Sequence, residues 1–315
     1  MMRNRGMKRL RLGVVGVGHL GSLHAQKYAT MSDINLVGVV DVDHKKAREA
    51  ATKCNTKAFS SHSELISQVD GISLAVPTPS HFDIGYEILN HGVHLLIEKP
   101  ITLRVGDADR LIEEAKKNGL ILQTGHIERF NPVVAKMKAL ISQPVFIESH
   151  RLNRFTERGT DVDVVLDLMI HDLDIVLHLM QSEIREIEAV GMPVVTGKID
   201  FANVRMLFGD GTVANLTASR VSNKSIRTAR IFQPDSYVSV DYNLRKIGVT
   251  RFISPLNHSV DTFGDSDPLA DQVKSFVECI KKGREPEVSG DDGRRALAVA
   301  LSIVDQIKTK TNTVP

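Results

Sequence analysis

The first 125 residues alternate short apolar runs with longer segments in which apolar residues recur at helical spacing. The runs predict strands at residues 10–15, 36–40, 71–76, 94–98 and 120–123. The segments between them predict helices at 19–31, 42–53, 79–92 and 105–118, the third with Thr78 as N-cap and Pro79 at its first position. Strands separated by helices of this length indicate βαβ units, so we predict a parallel sheet buried on both faces.

The pattern changes in the second half, because strands follow one another without helices after about Ile187. Helices are predicted at 131–141, 164–180, 268–282 and 291–308, one strand at 145–149, and further strands in EAVGMPVV, ANVRMLF, TVANLTAS, RTARIF and YVSVDY. Successive strands favour an antiparallel sheet with one face covered by helices. Since 315 residues exceed one ordinary small core, we predict two domains, 1–125 and 126–315.

Composition narrows the class of protein. Hydrophobic residues make up 42% of the chain and charged residues 25%, which is globular, and a net charge of +2 gives no reason to expect nucleic acid or a membrane as partner. Cys54 and Cys279 lie far apart and predict reduced thiols in a cytoplasmic protein. The basic start MMRNRGMKRLRL lacks an apolar signal core, so we expect a frayed terminus; a cationic nucleic-acid arm is the alternative.

The segment GVGHLG carries the pattern G-x-G-x-x-G with Gly16, Gly18 and Gly21, after a predicted strand and at the start of a helix. Asp41 closes the next strand about 20 residues later, which completes the dinucleotide-binding fingerprint. An acid there accepts hydrogen bonds from ribose hydroxyls and repels a 2′-phosphate, so NAD is favoured over NADP, although Lys45 and Lys46 leave that preference open. A glycine turn without a cofactor is the alternative.

The segment HLLIEKP ends a buried strand abruptly with Glu98, Lys99 and Pro100. Ligands of a parallel sheet bind outside the carboxyl ends of its strands, and a partly buried lysine can polarise a hydroxyl or relay its proton. The alternative is that Glu98 and Lys99 simply pair at the strand end. This stretch alone does not separate the two interpretations.

The segment DLMIHDLD places Asp167 and His171 four residues apart on one helical face, with Asp174 one turn further. An aspartate at this spacing can hold one tautomer of the imidazole, as a general base requires. A solvated polar face is the alternative, but the apolar residues around the pair oppose it. We predict no metal site, because no third ligand nearby completes a recognised motif.

Together GVGHLG with Asp41, VPTPSH leading to HGVHLLIEKP, HIERFNP and DLMIHDLD resemble the glucose-fructose oxidoreductase, inositol dehydrogenase and MocA (Gfo/Idh/MocA) family over essentially the whole chain. The resemblance implies an α/β fold: an N-terminal Rossmann domain with a doubly wound parallel sheet, then an α+β domain with a large open, mainly antiparallel sheet. It also implies an NAD(P)-dependent dehydrogenase acting on CH-OH groups, assembled as a homo-dimer or homo-tetramer through that second sheet.

The resemblance implies roles for individual residues. Lys99 matches the lysine that contacts substrate and nicotinamide, His171 the catalytic acid/base, and Asp167 the carboxylate that orients it. The implied cofactor contacts are Gly16, Gly18, His19, Leu20, Gly21, Asp41, Val76, Pro77, Thr78, His81, Glu98 and Lys99. Met169 stands where many members have glycine, which leaves the substrate class open. In the implied reaction a sugar carbon gives its hydride to nicotinamide, His171 takes the hydroxyl proton and Lys99 stabilises the alkoxide.

The segment HRLNRFTERGTD gathers basic residues just before the His171 helix. Its residues His150, Arg151, Arg154 and Arg158 could bind a substrate diphosphate, and Arg129 and Arg220 could add to this. The predicted substrate-binding residues are Lys99, Arg129, Arg154, Arg158, His171 and Arg220. Ordinary salt bridging is the alternative. HIERFNP and DVDVVLDLMIHDLD resemble a branch that oxidises UDP-N-acetylglucosamine at the 3-hydroxyl. Free sugars or inositols are the second substrate hypothesis, and a non-catalytic NAD-binding sensor or scaffold is the hypothesis of another class.

Overall fold

The computed structural model describes residues 9–156, 159–160 and 162–311. Its internal contacts divide the chain into two units. Unit 1 contains Met1–His126 and Leu269–Arg294, and unit 2 contains Ile127–Pro268 and Arg295–Pro315. Each unit therefore combines segments that are distant in the sequence.

Unit 1 is built on a parallel sheet. Its strands in the described residues are β1 (Leu10–Val15), β2 (Ile34–Val40), β3 (Lys57–Ala58), β4 (Gly71–Leu74), β5 (His94–Glu98) and β6 (Leu122–Gly125). They lie in the order β3-β2-β1-β4-β5-β6, and every neighbouring pair is parallel. The strand order reverses between β1 and β4, which is where dinucleotides bind to sheets of this kind. The predicted doubly wound parallel sheet is confirmed.

The helices between these strands are α1 (His19–Thr30), α2 (His44–Lys53), α3 (His62–Ile66), α4 (His81–Asn90) and α5 (Val105–Lys117). Two predicted starts are wrong. Helix α2 begins at His44 rather than at residue 42, because the Asp43 carboxylate accepts hydrogen bonds from the first backbone N–H groups. Thr78 is not a side-chain N-cap, because Thr78–Ser80 form a 3₁₀ turn with no side-chain cap and α4 begins only at His81.

Unit 2 is built on a mixed, mostly antiparallel sheet. Its strands in the described residues are β7 (Phe146–Leu152), β8 (Ile184–Met192), β9 (Phe201–Phe208), β10 (Val213–Ser219), β11 (Ile226–Phe232), β12 (Ser236–Asp241), β13 (Lys246–Arg251) and β14 (Asn257–Thr262). They lie in the order β14-β13-β12-β11-β7-β10-β9-β8, and β7 with β10 is the parallel pair among them. Strand β7 runs past the predicted end at residue 149, which places Arg151 on the buried face of the sheet. The predicted mainly antiparallel sheet is confirmed.

The remaining helices are α6 (Pro132–Leu140), α7 (Ile170–Leu179), α8 (Pro268–Lys282) and α9 (Gly290–Thr311). Asn131 caps α6 by accepting from the backbone N–H of Val133, and Pro132 occupies the first helical position. The predicted α-helix over 164–180 differs at its start, where Val165–Met169 form a π-helical turn before α7. Such turns insert one residue into a helix and so change which side chains share a face.

The segment Leu269–Arg294, which the sequence analysis grouped with the second domain, lies in unit 1. The buried residues of α8 recur at helical spacing and form one apolar face. Val273, Phe276 and Val277 on this face belong to the same buried cluster as Leu12 and Val14 of β1. The core of unit 1 is therefore completed by residues near the far end of the chain.

Helix α9, with 22 residues, is long enough to be compared with a membrane span. Its first turn carries Asp291 and Asp292 and its last turn carries Lys308 and Lys310. Its apolar residues occupy only part of its surface. In the described ranges, no helix has both the length and the apolar composition that crossing a bilayer requires.

Candidate functional site

The glycine turn between β1 and α1 has a conformation that only glycine accommodates. Gly16 has a φ of +85°, and a Cβ on it would lie 2.6 Å from the backbone oxygen of Ala75. A Cβ on Gly21 would lie 1.8 Å from the backbone oxygen of Gly16. A Cβ on Gly18, in contrast, would meet no atom within 4 Å. The first two glycines shape the turn, whereas Gly18 leaves open space above it.

This open space fits a dinucleotide phosphate. Gly18 is the N-cap of α1 and contributes no side-chain cap, and the first turn carries no acidic side chain. The leading backbone N–H groups of such a helix, together with its dipole, favour an anionic group. His19 is exposed and Leu20 half-buried at this end of α1, so both are accessible to a bound group.

Asp41 follows β2 and is tied to the glycine turn. Its carboxylate oxygens accept hydrogen bonds from the backbone N–H of Val17 at 2.8 Å and of Asp43 at 2.9 Å. Each carboxylate oxygen can accept more than one hydrogen bond, so the half-buried group retains capacity for ribose hydroxyls. Asp41 therefore links the turn that would hold the phosphates to the site that would hold a ribose.

Glu98, at the end of β5, is buried and has specific partners. His24 of α1 places Nε2 at 3.2 Å from Oε1, and Gln272 of α8 donates its amide at 3.3 Å to the same oxygen. Burial alone would raise the pKa of Glu98, but the bond and charge of His24, with Lys99 and Gln272, lower it below its ordinary value. Gly125 is required beneath the carboxylate, because a Cβ there would lie 2.6 Å from Oε1.

His81 joins the two loops that flank Lys99. Its Nδ1 lies 2.9 Å from the carbonyl oxygen of Pro100, and its Nε2 lies 2.9 Å from that of Val76. Burial lowers the pKa of His81, although both carbonyl contacts oppose this. Pro77 and Thr78 follow Val76 directly, so one imidazole fixes the loop after β4 relative to the loop that carries half-buried Lys99.

In unit 2, Asp167 and His171 lie on a helix that is otherwise almost wholly buried. Over 164–180 the described positions that are not buried are Asp167, His171 and His178, which recur along one side. Asp167 in the π-helical turn and His171 near the start of α7 are therefore both partly exposed. Met169 is fully buried, so its side chain occupies the core and not this face.

Asp174 does not continue the face of His171, contrary to the sequence analysis. Its side chain is 3% exposed and pairs with the guanidinium of Arg129 at 3.3 Å. Arg129 is equally buried, and its cost of burial is offset by this partner. The contact favours a structural role for Arg129 in holding α7 and leaves its predicted role with a diphosphate without geometric support.

The residue after His171 is also held by a buried arginine. Arg151 of β7 binds both carboxylate oxygens of Asp172, at 2.8 and 3.0 Å, and donates to Glu128 at 3.1 Å. The Tyr242 ring lies 5.7 Å from the guanidinium. Burial alone would lower the pKa of Arg151, but the two carboxylates raise it above its ordinary value, so the group is a permanent cation. This network fixes the start of α7.

The other predicted arginines have different surroundings. Arg220 is buried and donates to the backbone oxygens of Gly159 at 2.9 Å and Val162 at 2.8 Å, so it supports the loop before the π-helical turn. Arg154 is exposed and donates Nε to the backbone oxygen of Asn223 at 3.0 Å. Arg158 lies outside the described residues.

Sequence reasoning missed His24, Gln272 and the Asp172 network. His24 lies on the buried side of α1 with Gly21, Ala25 and Tyr28. The helical spacing of these residues in the sequence could therefore have identified His24 as buried. The contact of Gln272 with Glu98 joins positions 174 residues apart, and no local pattern in the sequence reports it.

Comparison with known proteins assigns the class. Residues 10–126 match the model of the oxidoreductase family with an NAD-binding Rossmann fold, and residues 134–233 match the GFO/IDH/MocA C-terminal domain. The chain belongs to the Gfo/Idh/MocA family of NAD-binding oxidoreductases. The predicted family, fold class and dehydrogenase class are thereby confirmed.

Individual relatives resemble the chain over almost its full length. A UDP-N-acetylglucosamine 3-dehydrogenase of Acidithiobacillus ferrooxidans is 40% identical over 305 residues, covering 94% of this chain and 97% of the relative. A solved structure under that name superposes with a TM-score of 0.92 at 38% identity and covers 96% of this chain and 98% of that one. A myo-inositol 2-dehydrogenase of Thermotoga maritima is 28% identical over 96% of this chain and 97% of its own.

Substitutions at Gly18 and Gly21 are expected to have different effects on NAD affinity and on stability. Gly18→Ala adds a methyl group in open space, so we expect the free energy of unfolding to change by at most about 1 kcal/mol. We expect NAD affinity to fall at least about fivefold, because the methyl group forces the backbone and the phosphate apart. Gly21→Ala forces apart β1 and α1, and we expect a loss of stability of about 1–3 kcal/mol. Urea unfolding and calorimetric titration with NAD measure the two effects. Normal NAD binding by Gly18→Ala would contradict the assignment of the turn.

Proposed function

We propose that this chain is an NAD-dependent dehydrogenase that oxidises the 3-hydroxyl of UDP-N-acetylglucosamine. The observation that carries the proposal is the relative of that name, 40% identical over 94% of this chain. Since the similarity extends through both units, it includes the sequence around the glycine turn and the sequence around His171. The fold alone would not support a particular substrate, because one fold serves many activities.

In the proposed reaction, the sugar carbon loses a hydride and its hydroxyl loses a proton, giving a 3-keto sugar. Bound NAD supplies a nicotinamide ring that accepts the hydride. His171 takes the hydroxyl proton as general base, and Asp167 keeps the imidazole in the tautomer that accepts it. Lys99 stabilises the negative charge that develops on the oxygen. Arg154 and Arg158 are proposed to contact the substrate from the segment that precedes this helix.

The support for these roles is the contrast in burial between each proposed residue and its neighbours. Lys99 and His171 are half-buried, whereas Glu98 and Asp172 beside them are buried and paired within their own units. A half-buried group keeps contact with a small molecule while its backbone is fixed. Glu98 is proposed to position Lys99 through His24 and Gln272, which gives this glutamate a role without substrate contact.

We propose NAD rather than NADP as the cofactor. Asp41 presents a carboxylate where the adenosine ribose of a dinucleotide lies in folds of this type. Both carboxylate oxygens of Asp41 accept backbone hydrogen bonds, which hold the group in place. The contacts described for Asp41 include no cation that would neutralise its charge. A 2′-phosphate would meet this negative charge, whereas a 2′-hydroxyl donates to it.

A second candidate within the same reaction class is a dehydrogenase of a free sugar or an inositol. The observation in its favour is the Thermotoga maritima myo-inositol 2-dehydrogenase at 28% identity over nearly the whole chain. A non-catalytic NAD-binding sensor is the candidate from another class, and it requires the glycine turn and Asp41 but not Lys99 or His171.

A cofactor-reduction screen separates these candidates. We expect UDP-N-acetylglucosamine to reduce NAD, with a kcat/KM at least about tenfold above that for N-acetylglucosamine, other UDP-sugars or inositols, since each lost polar contact costs about 1.5 kcal/mol or more. NADP should be reduced more slowly than NAD. Absorbance at the nicotinamide band follows the reaction, and oxidation of the 3-hydroxyl is checked by mass and NMR of the product. Turnover of an inositol but of no UDP-sugar would replace the proposal with the second candidate.

Substitutions at the proposed catalytic residues test the roles. His171→Ala and Lys99→Met are expected to lower kcat by about 10²–10⁴-fold, and His171→Ala should leave the KM for NAD nearly unchanged. The control variants His91→Ala and Lys116→Met, at exposed positions of unit 1, should keep wild-type kcat. Wild-type turnover by either catalytic variant would remove that residue from the mechanism.

We also propose that copies of the chain associate through the outer face of the unit 2 sheet. This face carries an aromatic cluster in which the Phe232 ring lies 6.2 Å from Phe146 and 4.8 Å from Tyr237, and Phe232 is 40% exposed. Light scattering should give a mass that is a multiple of 34.8 kDa. Phe232→Asp should lower the mass to that of one chain, and an unchanged mass would exclude this face as the interface.

A further inference from the structure

Two arginines lie directly opposite each other on neighbouring strands of unit 2. Arg227 of β11 and Arg151 of β7 are register partners in an antiparallel pair. Directly opposite residues project to the same face, and Arg151 projects to the buried face. Like charges at such positions repel, so the pair requires carboxylates that compensate both cations.

The two arginines do not share the nearby carboxylates equally. Arg151 binds both oxygens of Asp172 and lies 3.1 Å from Glu128. Among the described residues, Arg227 has a single long contact of 3.5 Å, to the same oxygen of Glu128. Arg151 is therefore fully compensated by two carboxylates, whereas Arg227 shares one that is already engaged.

The guanidinium of Arg227 retains donors that the described part of the chain does not use. Its Nε is buried and has no hydrogen-bond acceptor among the described residues, although the side chain as a whole is 37% exposed. Burial and the charge of Arg151 lower the pKa of Arg227 below its ordinary value. Glu128, Asp172 and Asp167 act on the group in the opposite direction. The strand pairing places Arg227 opposite Arg151, which binds Asp172, the residue that follows His171.

We propose that Arg227 is the residue of unit 2 that binds the diphosphate of a nucleotide-sugar substrate. This inference rests on the proposed function and names the group that recognises the charged part of the substrate. A diphosphate supplies the acceptor that Nε lacks among the described residues, and it neutralises the cation that Arg151 repels. Arg129 and Arg220 are poorer candidates, because their guanidinium groups are buried and donate to protein oxygens.

The test compares ligands that differ in the diphosphate. We expect Arg227→Met to raise the KM for UDP-N-acetylglucosamine and the dissociation constant of UDP by about 10–100-fold, as loss of charge-assisted hydrogen bonds predicts. Binding of uridine, which has no phosphate, and the KM for NAD should stay unchanged. Arg227→Lys, which keeps the charge, should recover part of the UDP affinity. Calorimetry on the full chain in the presence of NADH measures the affinities.

The control variant is Arg284→Met. Arg284 is an exposed arginine of unit 1 that donates to Glu278 at 2.7 Å, and it belongs neither to the proposed interface nor to the candidate site. It should bind UDP as the wild type does, and light scattering and thermal unfolding verify that both variants keep their assembly and fold.

The results that would overturn the role of Arg227 differ from those that would refute the proposed function. Unchanged UDP affinity in Arg227→Met would overturn the role of Arg227, while the proposed reaction would stand as long as the wild type reduces NAD with UDP-N-acetylglucosamine. Equal weakening of UDP and uridine would also overturn it, because a general distortion of the pocket does not depend on phosphate. Absence of any wild-type turnover of UDP-sugars would refute the proposed function whatever the variant binds.

Discussion

A carboxylate inside a protein must be paired, and this constraint governs how both candidate catalytic segments are built. Glu98 precedes Lys99 and is buried against His24 and Gln272. Asp172 follows His171 and is buried against Arg151. In each case an ionised side chain is directed into its own unit, and the adjacent residue in sequence is left half-buried. The fold therefore anchors the neighbour of each proposed catalytic residue, which gives the adjacent acid and amine of HLLIEKP different surroundings.

The turn and the sheets could be predicted because their determinants are local. Gly16 and Gly21 are required by a backbone conformation and a close approach within a few residues, and the alternation of apolar runs reports which elements are strands. The start of α2 was misplaced by two residues, because the capping carboxylate of Asp43 was not recognised. The π-helical turn before α7 was not predictable from the 3.6-residue period, because it inserts a residue without changing the composition.

The arginines show why the candidate site was predicted only in part. Arg129, Arg151, Arg220 and Arg227 are chemically identical, and their roles depend on which carboxylates or carbonyls the tertiary structure brings near them. Arg151 lies beyond the strand predicted at 145–149, but β7 extends through it and directs it into the core. Arg227 is not distinguished in the sequence, because its strand RTARIF contains no motif. Charge clustering in sequence therefore predicted a basic neighbourhood but not which of these arginines has a partly exposed side chain.

The packing of α8 on β1 has a consequence for how the protein folds during its synthesis on the ribosome. The cluster that contains Leu12 and Val14 also contains Val273, Phe276 and Val277. Chains fold progressively from the N-terminus during synthesis, yet this core is incomplete until the residues of α8 have been translated. A nascent chain of the first 126 residues thus presents an uncovered apolar surface throughout translation of the intervening unit.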